Sequence, residues 1–176
     1  SGKHVFVEKP IAIKTDELNE IDKTFQRISK EKDSSTRLMV GFNRRFAPHV
    51  IKMKSLLSGK REPKVVIMTI NAGAISHDHW TQDKDIGGGR IIGEGCHFID
   101  LMRFLIGHKI IDHHSLILND TPDRVTDDKV IINLSFSDGS VGTIFYLANG
   151  GKSYPKERIE VFCGNAVLQL NNYRVL

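Results

Sequence analysis

The sequence predicts an α+β domain, one mostly antiparallel open sheet with helices packed on one face. Three observations carry that expectation. Helical periodicity comes first along the chain, and from about residue 110 onward nearly every segment reads as strand. The late strands are joined by Asp138-Gly139 and Gly164-Asn165, turn pairs that specify antiparallel hairpins. Helices segregated from consecutive hairpins belong to the α+β class. At 176 residues the chain fits one unit with a core large enough to fold alone.

The elements follow in order. His4 to Glu8 is a short β-prone run that opens without a preceding turn, so it is expected to complete a sheet whose other strands lie in a further stretch of polypeptide. Thr15 is a plausible N-cap, with Asp16 and Glu17 favoured in the first turn by the helix dipole. Leu18, Ile21, Phe25 and Ile28 then keep helical spacing to about Ser29. Arg37 to Phe42 reads as a strand. Pro48 suits a first helical turn, Val50, Met53 and Leu57 form the apolar face, and Gly59 closes it. Lys64 to Ile70 is β-branched and reads as a strand, followed by a long loop from Asn71 to Gly88. A second long helix is expected from about Gly89 to Ile106. Strands are then expected over Ile110 to Leu118, Lys129 to Phe136, Ser140 to Leu147, Arg158 to Cys163 and Ala166 to Leu170, with another beginning at Asn172. Both ends read as interior to a longer chain.

Composition narrows the function. Hydrophobic residues make up 40% and charged residues 26%, ordinary for a globular protein. No apolar run approaches the roughly 20 residues needed to span a bilayer. Two cysteines make no disulfide framework, and a reduced, cytoplasmic setting is the expectation. The net charge of +4 is mild and scattered, unlike the concentrated basic face of a nucleic-acid binder.

The most informative segment is GGGRIIGEGCHFIDLMRFLIG, residues 87–107. On a helix of about 100° per residue, Arg90, Glu94, His97 and Asp100 share a narrow polar arc with Gly93, and the rest is apolar or small. A polar stripe on a mostly buried helix needs partners or a wet cleft. It is either a solvated edge or an active-site wall, in which Glu94 and His97, three residues apart, form an acid/base pair. The glycine run is not a dinucleotide fingerprint: the sixth position from Gly87 is Ile92, and no strand leads into it.

Four stretches line up in order: GKHVFVEKP at the start, GFNRRF at 41–46, GGGRIIGEGCHFID at 87–100 and ERIEVFCGNAVLQLNNYR near the end. Together they resemble the second domain of the glucose–fructose oxidoreductase/inositol dehydrogenase (Gfo/Idh/MocA) family, over essentially the whole chain. The stretch NAGAISHDHWTQDKDIGGGRIIGEGCHFIDL is most similar to members encoded with polysaccharide biosynthesis. The resemblance implies an oxidoreductase acting on a sugar or nucleotide sugar with NAD or NADP. The cofactor would be held mainly by an N-terminal Rossmann domain that this chain lacks. Residues 1–10 would be the last strand of that domain, ending in Glu8, Lys9 and Pro10 beside the cofactor, and 11–176 the substrate-binding domain. Lys9 and His97 would be the catalytic residues. Many relatives carry an aspartate four residues before that histidine, where this chain has Gly93.

The remaining candidates are weighed on chemistry. Of Arg44 and Arg45, which follow a strand end, Arg45 is taken as a substrate contact able to pin an anionic group. His79 and Trp80, in the long loop, and Glu94 are taken as substrate-binding as well. His77, Asp78 and His79 could suggest a metal, but a loop without a cysteine pair argues against one, and none is expected. Apolar residues on both faces of the late strands predict a homo-oligomer formed through the sheet. The competing reading is a non-catalytic dimerisation or ligand-binding module.

Overall fold

A computed structural model describes residues 3–31, 36–76, 78–118 and 128–176. The elements are β1 (Val5–Val7), α1 (Thr15–Glu31), β2 (Leu38–Val40), α2 (Pro48–Leu57), β3 (Val65–Asn71), α3 (Cys96–Ile106), β4 (Ile110–Ile117), β5 (Lys129–Phe136), β6 (Val141–Leu147), β7 (Glu157–Cys163) and β8 (Ala166–Asn171). Strand residues alternate between buried and open positions, as a pleat covered on one side demands. The buried face of β3 carries Val66, Met68 and Ile70, and that of β7 carries Ile159, Val161 and Cys163. Val50, Met53 and Leu57 of α2 and Phe98, Leu101, Met102 and Leu105 of α3 close the same core from above.

The six-stranded sheet has the order β4-β5-β6-β3-β7-β8. It is antiparallel except between its two central strands, where β3 runs parallel to β6. The two-residue turns at Asp138-Gly139 and Gly164-Asn165 form, with Gly139, Gly164 and Asn165 at positive φ as such hairpins require. The expected strand after Asn172 is instead a turn. Asn172 and Tyr173 adopt left-handed backbone, and one bridge joins Asn171 to Val175.

β1 pairs with β2 in parallel and, among the described residues, with no strand of the large sheet. With α1 between them they make a right-sized βαβ unit. Leu38–Val40 thus pair with the opening strand and not with the large sheet. Thr15 is the first residue of α1 and not its cap. The Glu17 carboxylate reaches back to accept from the N–H groups of Ile13 and Lys14, at 3.1 and 3.2 Å.

Two features of the sheet bear on function. On the helix side, β6 passes so close to α3 that a Cβ on Gly142 would lie 2.1 Å from the buried Met102 sulfur. Glycine there lets the helix settle onto the strand and fixes its height over the sheet. On the open side, Val141, Val65, Phe162 and Val167 stand in register across β6, β3, β7 and β8, each 37–58% exposed. No helix of the described residues is long and apolar enough to cross a membrane.

Candidate active site

The helix expected from Gly89 begins with a wide turn. Ile91–Gly95 bond as a π-helix before α3 takes over at Cys96, so the uniform 100° spacing fails through the first turn. The Gly93 carbonyl of that turn accepts a hydrogen bond from Lys9 Nζ. Lys9 lies just after β1, where the Lys9–Pro10 peptide is cis. This bond ties the opening segment to the helix across 84 positions of sequence.

Lys9, Pro10, His79, Trp80, Glu94 and His97 all line one cleft of about 500 Å³. Arg44, Arg90 and Gly93 line it too. The structure does not bring Glu8 or Arg45 there. Glu8 is exposed and lies over Gly41, whose Cβ would approach its carboxylate to 2.9 Å. Arg45 is engaged by Asp100, with Nε donating to Oδ2 at 2.6 Å and a second bond from Nη2 to Oδ1, and its guanidinium rests 5.4 Å from the Phe104 ring centre. A short 3₁₀ turn over Asn43–Phe46 sends the two adjacent arginines in different directions. Arg44 is the one that reaches the cleft. It lies over Phe98 and forms a bidentate pair with Glu157, at 2.6 and 3.1 Å.

His97 is 5% exposed and stands edge-on to Phe42, with ring centres 6.0 Å apart. Burial, and then the positive charges of Arg44, Lys9 and Lys156, hold the imidazole down to a pKa of about 4, although Glu94 pulls the other way. The ring is therefore neutral at physiological pH. Nδ1 is sealed from solvent and has no partner among the described residues, which leaves Nε2 as the nitrogen able to reach the cleft.

Glu94 is not that histidine's hydrogen-bonded partner. Its carboxylate accepts from the Tyr146 hydroxyl at 2.6 Å, Lys156 at 2.9 Å and Arg90 at 3.1 Å. Burial alone would raise it, but these three donors outweigh burial and hold it at about 2. Arg90, 6% exposed, also donates to the carbonyls of Gly73 and Ala72, at 2.6 and 3.2 Å, and so staples the long loop to the helix.

The loop forms the opposite wall. Trp80 is 61% exposed, and the His79 ring stacks on it at 5.9 Å. The glycine run serves this wall. A Cβ on Gly87 would lie 2.5 Å from the Thr81 Cα and 2.7 Å from the Trp80 carbonyl oxygen, so the close approach the glycines permit is to the chain's own backbone. Asp78 is described, but His77 lies outside the described residues, and among these no group of three His, Cys, Asp or Glu side chains could hold a metal.

Sequence reasoning passed over Tyr146, Lys156 and Glu157. Tyr146 left a signal: a tyrosine on the buried face of a strand needs a partner for its hydroxyl. Lys156 and Glu157 left none, because their roles depend on β7 lying beside β3.

Comparison with known proteins agrees with this architecture. The chain is 28% identical over 181 residues to inositol 2-dehydrogenase of Rhizobium meliloti, covering 99% of this chain and 52% of that protein. It is 26% identical over 179 residues to myo-inositol 2-dehydrogenase of Thermotoga maritima, covering 98% and 50%. It thus spans about half the length of these relatives. Among solved structures, GenD2 from gentamicin A biosynthesis, in complex with NAD, superposes with a TM-score of 0.70 at 19% identity over 97% of this chain and 48% of that one. A super-repressor mutant of Gal80p from Saccharomyces cerevisiae superposes with a TM-score of 0.78 at 13% identity over 96% and 48%. These two likenesses are of fold. The family model for the GFO/IDH/MocA C-terminal domain matches residues 50–169. The chain belongs to the GFO/IDH/MocA family of oxidoreductases and carries its C-terminal domain.

Proposed function

We propose that this chain is the substrate-binding, catalytic half of an NAD(P)-dependent oxidoreductase acting on a hydroxyl or carbonyl of a sugar, nucleotide sugar or related cyclic polyol. The observation that carries this reading is the meeting of Lys9 and a neutral His97 on one cleft wall. The inositol dehydrogenases among the relatives support the polyol class. Lys9 and Pro10 are the part of this chain that would touch the nicotinamide, while no glycine fingerprint for a dinucleotide is present. The phosphates therefore fall to a nucleotide-binding half. When bound, the nicotinamide takes hydride from the carbinol carbon or returns it.

The chain's own residues handle the proton and the position. His97, uncharged, accepts the hydroxyl proton as a general base and gives it back in the reverse direction. Lys9, held by the Gly93 carbonyl, keeps two further N–H donors, one of which serves the oxygen that gains negative charge. Glu94 stays ionised and fixes Arg90, Lys156 and Tyr146. Trp80 and His79 offer a stacked apolar surface to the face of a sugar ring.

The test joins this chain to its nucleotide-binding half and presents NAD or NADP with a panel of sugars, inositols and nucleotide sugars. The expected result is reduction of the nicotinamide by at least one of them. Tight cofactor binding with no turnover on any member would favour a non-catalytic ligand-binding module.

The open face of the sheet supports self-association. A stable dimer or larger assembly would cover the exposed row of Val141, Val65, Phe162 and Val167. Light scattering is expected to give a mass above one chain at micromolar concentration, and a single-chain mass throughout would remove this assignment.

A further inference from the structure

Among the described residues, the cleft is lined by more cations than carboxylates. Lys9, Arg44 and Arg90 line it, and among the described residues Glu94 is the one carboxylate that does. Behind them, Glu157 is taken up by Arg44, and Lys156 shares Glu94 with Arg90. Arg44, Arg90 and Lys156 thus divide two carboxylates, and Lys9 stands outside these pairs. Of the acids on neighbouring segments, Asp100 is engaged by Arg45, Asp85 by Lys14 in an exposed pair, and Asp83 by the N–H groups of Asp85 and Ile86, while Glu8 is exposed and lies over Gly41. Lys9 meets no carboxylate among the described residues. Its ammonium rests on a neutral carbonyl and has two donors left. The low charge state of His97 agrees with this field, since burial and three cations outweigh Glu94 there.

Gly93 leaves room beside that ammonium. A Cβ on Gly93 would meet only the Gly87 carbonyl oxygen, at 3.6 Å, which is ordinary contact. Nothing packs this position, so a group on a ligand can stand where a side chain would.

We infer that the substrate is an acidic sugar, carrying a carboxylate in addition to the reacting hydroxyl, and that this carboxylate sits beside Lys9 over Gly93 as the anion the cleft lacks. One free Lys9 donor serves the carboxylate and the other the reacting oxygen. This rests on the cleft being the substrate site proposed above. A ligand without the charge would leave the cations in a partly dry cleft unmatched, which is the strong form of discrimination available to a polar site.

The experiment titrates the chain with D-glucuronate, D-glucose and inorganic pyrophosphate, following the Trp80 indole and His97 ring signals by NMR. Glucuronate is expected to move both signals and to bind at least about tenfold tighter than glucose, with the advantage shrinking as salt is raised. Gly93→Asp, which places a protein carboxylate in the same space, is expected to abolish the preference. Gly93→Asn, of equal size and no charge, is expected to keep it. Equal binding of glucose and glucuronate in the cleft overturns the acidic substrate while leaving the cleft reading intact. A preference that survives Gly93→Asp overturns the placement. Pyrophosphate binding there more tightly than glucuronate assigns the cations to a phosphate and overturns the carboxylate. Failure of all three to move either signal overturns the cleft reading itself.

Discussion

If His97 is the proposed general base, His97→Ala is expected to lower turnover of the chain joined to its nucleotide-binding half by about 100- to 10,000-fold, the usual contribution of a positioned general acid/base. Binding of the cofactor is expected to change little, since the dinucleotide phosphates are assigned above to a nucleotide-binding half and not to this helix. The same substitution has a second signature that needs no cofactor. Unfolded, the imidazole takes up a proton near its ordinary pKa of 6.5; folded, it holds out to about 4. Between those values the unfolded chain binds more protons, so stability falls as pH falls through that window and is fully present above it. At about 1.4 kcal/mol per unit, the fall is on the order of 3 kcal/mol, and His97→Ala should remove it. Glu94, held at about 2 against an ordinary 4.5, contributes stability that is lost only below that, as pH falls from about 4.5 toward 2. The two windows hardly overlap, so a pH series of urea melts separates them. Turnover of the variant within about threefold of the parent would make His97 a wall residue and leave Lys9 as the remaining candidate for the proton chemistry.

How far this site could be read from sequence depends on whether a residue's role is set by near or distant neighbours. α2 was legible because Pro48, the Val50–Met53–Leu57 face and the stop near Gly59 are all local, and the helix runs Pro48–Leu57 as that pattern requires. The hairpins were legible because their turn pairs impose the register. The parallel pairing of β3 with β6 was not, because some seventy intervening residues carry no signal of it. The polar stripe led to the cleft, where Arg90, Glu94 and His97 all lie, but the helix alone leaves its internal pairing open. Glu94 and His97 share a helix turn, which makes a local pair plausible. Tyr146 and Lys156, brought in by the strands, capture the carboxylate instead. Arg44 and Arg45 are neighbours of identical chemistry, and only the 3₁₀ turn beneath them decides which one faces the substrate side.

Arg90→Met should cost about 3–5 kcal/mol of unfolding free energy, the penalty for taking one partner from a buried, hydrogen-bonded ion pair. The guanidinium is 6% exposed, lies 5.4 Å from the Tyr146 ring centre, and satisfies three acceptors at once. Methionine roughly fills the volume but offers no donor, so the Ala72 and Gly73 carbonyls lose their partner and Glu94 keeps only Tyr146 and Lys156. Glu94 then becomes easier to protonate, and its acid window moves upward from about 2. In a chain of this size the loss corresponds to a fall in Tm of roughly 10 °C. Arg90→Lys, which keeps the charge but not the fork, should lie between the two. Lys14→Met is the surface control: its pair with Asp85 spans 3.2 Å with side chains 58% and 85% exposed, and its loss should cost less than about 1 kcal/mol. A functional effect follows from the same staple if the cleft is the proposed substrate site. Ala72 and Gly73 begin the loop that carries His79 and Trp80, so releasing them should raise KM for the proposed substrate more than it lowers kcat. Arg90→Met melting within about 1 kcal/mol of the parent would mean that water replaces the guanidinium at both carbonyls, and the loop would then owe its position to the Gly87 contact instead.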